Sequence, residues 1–156
     1  MADNNLLEDN VILGILAGLI GNIPKELIAW AFHFTGYLRY TFMHIAAGAF
    51  VSKEFIDDPV SLVIGAISDW IMVGFIGVTT VYFIRFTGNR YPVIKSVFVS
   101  SLFYIILYGA LMALDVTRAS LLTPLPNLLL FIPHLALGSG IGLFIKNTQK
   151  KTQYPD

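Results

Sequence analysis

Ser96–Leu114 reads SVFVSSLFYIILYGALMAL, nineteen residues without a charge. A helix that crosses a bilayer needs roughly 20 mainly apolar residues, and this run has that length and composition. Its neighbours extend the pattern. Ala119–Ile145 carries no Lys, Arg, Asp or Glu. Val60–Ile84 has one interior charge, Asp69. Val11–Phe34 is apolar but interrupted by Asn22, Pro24, Lys25 and Glu26. The sequence therefore predicts four spans, near 11–34, 60–84, 93–114 and 121–145.

The bulk composition agrees. Of the 156 residues, 56% are hydrophobic and 13% are charged, against about 45–50% and about 25% in soluble domains. The mean hydropathy is +0.72. So little charge excludes a disordered chain, a nucleic-acid binder and an ordinary soluble enzyme. Ten basic residues balance ten acidic ones, so no net charge steers a partner. With no cysteine, disulfides, Fe–S clusters and Cys zinc sites are excluded. The opening MADNNLLEDN has three acids and no base. A cleaved signal peptide begins with a basic region, so the first apolar segment is expected to remain.

The connections carry turn chemistry. Phe86–Pro92 is polar with Gly88 and Pro92, Lys53–Pro59 is acidic and ends in proline, and Asp115–Ser120 is a short link. Tyr37–Val51 is moderately apolar, holds Arg39 and His44, and at fifteen residues is short for a span. It is read as an interfacial amphipathic helix, with a re-entrant piece or a continuation of the first helix as alternatives. The expected fold is an all-α integral membrane bundle of four transmembrane helices, with this additional helix after the first span. One transmembrane domain, 11–145, lies between a polar N-terminus, 1–10, and a polar tail, 146–156.

Orientation follows from basic residues flanking the spans. Arg85, Arg90, Lys95, Lys146, Lys150 and Lys151 lie on the side of the termini, and Arg39, Lys53 and Arg118 lie opposite, six against three. Both termini are thus expected in the cytoplasm of a plasma membrane.

Polar groups inside the spans are the candidate site residues, because intramembrane charges usually face protein or water. Asn22, Glu26 and His33 fall near one face of the first helix, with Gly14 and Gly18 on the same side. Pro24 removes a backbone donor and suggests a broken helix lining a site; the plainer reading has Lys25 reaching for the interface and Glu26 pairing with another helix. Lys25 is about 100° round from Glu26 and is not expected to pair with it. Asp69 lies near mid-span, with Ser61 and Gly65 at four-residue steps before it. Lys25 is the one basic residue of similar depth, which predicts a Lys25–Asp69 ion pair. In the fourth span, His134, Gly138 and Gly142 place an imidazole above a small-residue strip that allows close helix approach. His134 reads most simply as a hydrogen-bonded helix contact. Ser96, Ser100, Tyr104 and Tyr108 form a ladder in the third span for bonds across helices.

Catalytic and phosphate-binding motifs are missing: there is no HExxH, no Walker-type loop and no supported Ser–His–Asp order. No metal and no resident cofactor is expected. A bis-histidine haem on His33 and His134 is a minor alternative.

Several stretches resemble small four-span membrane proteins of Firmicutes of the uncharacterised YqhR-like kind. They are Ile23-Pro24-Lys25-Glu26-Leu27 after a Gly-rich opening, Leu38-Arg39-Tyr40, Ile67-Ser68-Asp69-Trp70-Ile71-Met72-Val73-Gly74-Phe75-Ile76-Gly77 and Tyr91-Pro92-Val93-Ile94-Lys95. The resemblance implies a bacterial plasma membrane and a non-enzymatic role, and it transfers no activity or catalytic residue.

The functional expectation is a structural or assembly protein that self-associates through small-residue faces (Gly14, Gly18, Gly65, Gly138 and Gly142). Its partners would be the lipid bilayer, a second copy of the chain and another membrane protein, with no nucleic acid. The alternative is a small homo-oligomeric channel or transporter with a polar path near Asp69; a haem or redox subunit is the third.

Overall fold

The computed structural model describes residues 7–120 and 123–153. The far N-terminus, the last residues of the expected tail and the first two residues of the expected fourth span, 121–122, lie outside them.

Four helices are long and apolar enough to cross a membrane. Helix α1 is Asn10–Phe34, α3 is Pro59–Phe86 and α6 is Pro124–Gln153. The third span is composite: α4, Pro92–Phe103, continues through a π-helical turn, Tyr104–Tyr108, into α5, Gly109–Ala113. The short helix α2, Phe42–Ala47, and a 3₁₀ turn, Lys53–Phe55, fill the α1–α3 connection. The chain is an all-α, multi-pass membrane protein.

Local chemistry sets the helix ends. Asp9 caps α1 by accepting from the N–H groups of Val11 and Ile12 at 2.7 and 3.0 Å. Asp58 caps α3 in the same way, accepting from Val60. Pro59 and Pro92 occupy the first turns of α3 and α4, where a missing N–H costs nothing. Tyr91, the residue before Pro92, is left-handed, φ 57°.

The expected break at Pro24 is corrected. Helix α1 runs unbroken through Pro24, and α6 runs unbroken through Pro133. The expected polar tail is helical through Gln153. At about 1.5 Å per residue α6 is about 45 Å long, so it overruns a hydrocarbon core of about 30 Å.

The spans alternate in direction, which puts the start of α1, the α3–α4 turn and the end of α6 at one end. The other end holds residues 35–58 and the 114–120 link, and is called the capped end below. Helix α1 packs along both α3 and α6, and α4 packs along α6. Helices α3 and α4 touch more sparsely, and α3 draws away from the α5 half of the third span. The outward sides are apolar; Leu27, Ile71 and Ile94 are each at least two-thirds exposed, as lipid-facing residues would be.

The segment expected to lie on the membrane surface is instead folded into the capped end. After α1 the chain reverses at Gly36 (φ 79°), and Leu38, Tyr40, Phe42, His44 and Ile45 are buried. Thr117 donates to the Ile45 carbonyl at 2.7 Å, and the Arg118 N–H to that of Gly48 at 3.0 Å. These bonds let a short helix descend into apolar surroundings without orphaned carbonyls.

All five glycines expected to pack helices do so, and within one chain. A methyl on Gly14 or Gly18 would collide with the α3 backbone at Val78 or Val73. One on Gly65 would collide with the Met43 carbonyl of α2, and one on Gly138 or Gly142 with α4 at Val97 or Val93. Ser100 donates to the His134 carbonyl, and Tyr108 to Asn127 Oδ1. Tyr104 also bonds to α6, so the serine–tyrosine ladder joins the third and fourth spans, except that Ser96 bonds back to Pro92 of its own helix.

Candidate functional site

Asp69 lies ten residues into α3, about 15 Å from its start, and so near the middle of a core of about 30 Å. Lys25 reaches the same depth on α1. Lys25 Nζ stands 2.7 Å from each carboxylate oxygen of Asp69. The expected ion pair is present. The same ammonium donates to Asn22 Oδ1 at 2.9 Å and to Glu26 Oε1 at 2.8 Å. Asn22 Nδ2 in turn donates to Asp69 Oδ2 at 3.1 Å.

The Lys25–Glu26 contact corrects the sequence expectation. Adjacent positions diverge by about 100° at Cα, but four methylenes let the lysine curl back over its own helix. Lys25 is 1% exposed, so it does not reach out to the interface. Its ammonium also lies 4.3 Å from the centroid of the Phe42 ring, a cation–π contact that α2 makes by descending into the bundle.

Charge in this cluster does not balance: two carboxylates meet one ammonium. Both Asp69 oxygens and Glu26 Oε1 accept from Lys25, whereas Glu26 Oε2 is buried and has no hydrogen-bond partner.

A cavity of about 240 Å³ opens beside the cluster. Lys25 and Asp69 are its charged wall groups, and His134 lies on the same wall. Phe42, Phe50, Phe103 and Tyr108 supply aromatic faces. Met72 and Ile76 of α3 face Leu107 and Leu111 of the third span across it. It occupies the gap where α3 leaves the third span, and the π-helical turn at Tyr104–Tyr108 forms part of that wall. Such turns occur frequently at functional sites.

The three histidines fall into two groups. His134 is buried, with Nδ1 3.4 Å from the Leu130 carbonyl and its ring against Phe42 and Tyr104, centroids 4.8 and 4.9 Å away. His33 lies at the capped end with its ring centroid 5.2 Å from that of His44, and its Nδ1 3.0 Å from the Leu38 carbonyl. The pair expected for a bis-histidine site thus belongs to two different ring clusters. Burial, reinforced by His33 and opposed by Asp57, holds His44 below the ordinary histidine value of 6.5. Among the described residues, no three His, Asp or Glu side chains are arranged to hold a metal ion.

Sequence reasoning named Asn22, Lys25, Glu26 and Asp69, and the fold joins these four in one network. It missed Phe42 and the cavity itself, although it had named Tyr108, which lines the cavity, as part of the third-span ladder. Phe42 carried a faint signal in the apolar opening of the 37–51 segment. The cavity carried none, because it depends on the splay between two helices.

No known family, curated protein or solved structure matches the chain.

Proposed function

We propose that the protein is a ligand-binding membrane protein of transporter type, which captures small amphipathic molecules sideways from the bilayer. The observation that carries this reading is the cavity between α3 and the third span, apolar on most walls and bounded at mid-membrane by Lys25 and Asp69. Intramembrane ionisable groups mark binding sites and pathways by default. A few convergent polar groups in an apolar pocket are the usual form of a small-molecule site. An apolar cavity of about 150 Å³ takes benzene, so this one has room for a ring and a small head group. No chemical step is part of the reading.

The reading favours the transporter alternative over assembly through small-residue faces. The glycine strips that would join copies are filled by the chain's own helices, so association of copies would use the lipid-facing sides. The side bearing the termini is read as cytoplasmic from its basic residues, in the plasma membrane that the family resemblance implies.

The test is photolabelling in liposomes with phenyl-trifluoromethyl-diazirine, an uncharged probe of ring size. Labels should concentrate on Met72, Leu107 and Leu111, and Ala46→Trp, which puts an indole into the cavity, should abolish them. Labelling spread evenly over outward residues such as Leu27 and Ile71, unchanged by Ala46→Trp, would overturn the reading.

A further inference from the structure

We propose that the cavity selects ligands whose head is a single positive charge seated on Asp69, and that their arrival expels one proton from Glu26. The inference rests on the reading that the cavity binds amphipathic molecules.

It starts from four carboxylate oxygens. Asp69 Oδ1 accepts from Lys25, Asp69 Oδ2 from Lys25 and Asn22, and Glu26 Oε1 from Lys25. Glu26 Oε2 is buried with no partner. Lys25 has three N–H groups and already serves four oxygens, so it has none left for Oε2. With both carboxylates ionised the cluster holds one surplus negative charge, and a membrane interior does not tolerate an uncompensated charge. A proton on Glu26 Oε2 removes the surplus at the one oxygen that no donor reaches.

A cationic ligand removes the same surplus differently. Asp69 lines the cavity and Glu26 lies behind it on α1, so an incoming cation meets Asp69. The added charge leaves two cations, the ligand and Lys25, against two carboxylates, Asp69 and Glu26, which balance without the proton. The exchange is ligand cation plus protonated Glu26 giving bound cation, ionised Glu26 and one proton released to buffer. The only covalent bond broken is the Glu26 O–H bond.

The surroundings favour this ligand class. Phe42, Phe50, Phe103 and Tyr108 present rings to the cavity, and quaternary ammonium groups are bound by such faces. An anionic head would have to displace Asp69 from Lys25. The groups facing Glu26 are few. Lys25 is on its own helix and Asp69 is on α3. Helix α6 brings His134, which is electrostatically coupled to Lys25 and Asp69. Helix α2 brings the Phe42 ring, while its own His44 faces His33 and Asp57.

The test uses the full chain in detergent and three probes of matched size: benzyltrimethylammonium, its uncharged carbon isostere neopentylbenzene, and benzylsulfonate. The expected result is at least tenfold tighter binding of the cation than of either other probe. Calorimetry in two buffers of different ionisation heat should count one proton released per cation bound. In Glu26→Gln the proton release and the cation preference should both disappear, while neopentylbenzene binds as before. That variant keeps Lys25 paired with Asp69, and an unchanged melting temperature would verify its fold. Equal binding of cation and isostere would overturn the charge selection and leave the cavity reading standing. Proton release that persists in Glu26→Gln would overturn the assignment to Glu26. Binding of none of the three would overturn the cavity reading itself.

Discussion

Lys25 Nζ sits 2.7 Å from both carboxylate oxygens of Asp69, joining α1 to α3 at mid-membrane across forty-four residues of chain. Both charges sit in largely apolar surroundings, so each depends on the other and on the neighbours they share, Asn22 and Glu26. Removing one partner of a buried pair costs about 3–5 kcal/mol, because the remaining charge is left uncompensated.

The cluster is asymmetric, and that gives a ranking. Lys25→Met strands the Asp69 carboxylate and takes the same donor from Glu26, whereas Asp69→Asn leaves Lys25 with Glu26 and an amide oxygen. Lys25→Met should therefore lose about 3–5 kcal/mol, and Asp69→Asn only about 1 kcal/mol, the worth of a typical hydrogen bond. Thermal unfolding in detergent measures both; equal losses would show that Glu26 does not share the ammonium.

Gly65 meets the Met43 carbonyl so closely that no Cβ fits between them, while a Cβ at Gly109 would meet nothing. Gly65→Ala should separate α2 from α3 and cost about 1–3 kcal/mol, as overpacking does. Gly109→Ala should stabilise by roughly 0.5–1 kcal/mol, because alanine loses less backbone entropy in a helix. The two variants compared by melting temperature form their own control.

His44 starts α2. Its Nδ1 accepts from the Thr41 backbone N–H at 3.2 Å, a task that only the unprotonated nitrogen can perform. Its folded-state pKa lies below the ordinary 6.5, through burial first and then His33, with Asp57 opposing. The unfolded chain therefore binds the proton more readily. The stability from neutral His44 is fully present above about pH 6.5 and is lost as the pH falls through the folded value. Melting temperature should drop on acidification below that pH. His44→Gln keeps a capping-box side chain without a titrating group, and should flatten this component of the profile.

The chain lacks cysteine, so single cysteines report sidedness cleanly. Asn89→Cys lies in the α3–α4 turn and Lys53→Cys in the capped end, at opposite ends of the spans. A membrane-impermeant maleimide added to intact cells should label Lys53→Cys and spare Asn89→Cys. The reverse pattern would invert the orientation read from the basic residues.

The four spans were legible in the sequence, apart from the helical extension of the last one to Gln153, because their causes are local. An apolar run long enough to cross a bilayer, a proline at a first turn and an aspartate cap each act within a few residues. The Lys25–Asp69 pair was legible for a related reason: two charges at equal depth in an apolar medium have few other places to go. The glycine strips were legible as a pattern, but their partners were not. Spacing shows that a helix can be approached closely and is silent on whether the approaching helix belongs to the same chain. The tertiary structure alone decided that α2 folds inward and lays Phe42 over Lys25, because a six-residue helix holds that place through bonds to Thr117 and Arg118, some seventy residues away. It alone decided that Glu26 shares the ammonium, which depends on how a flexible side chain curls, and that α3 parts from the third span. A cavity is the space left by the packing of distant helices, and no local stretch of sequence encodes it.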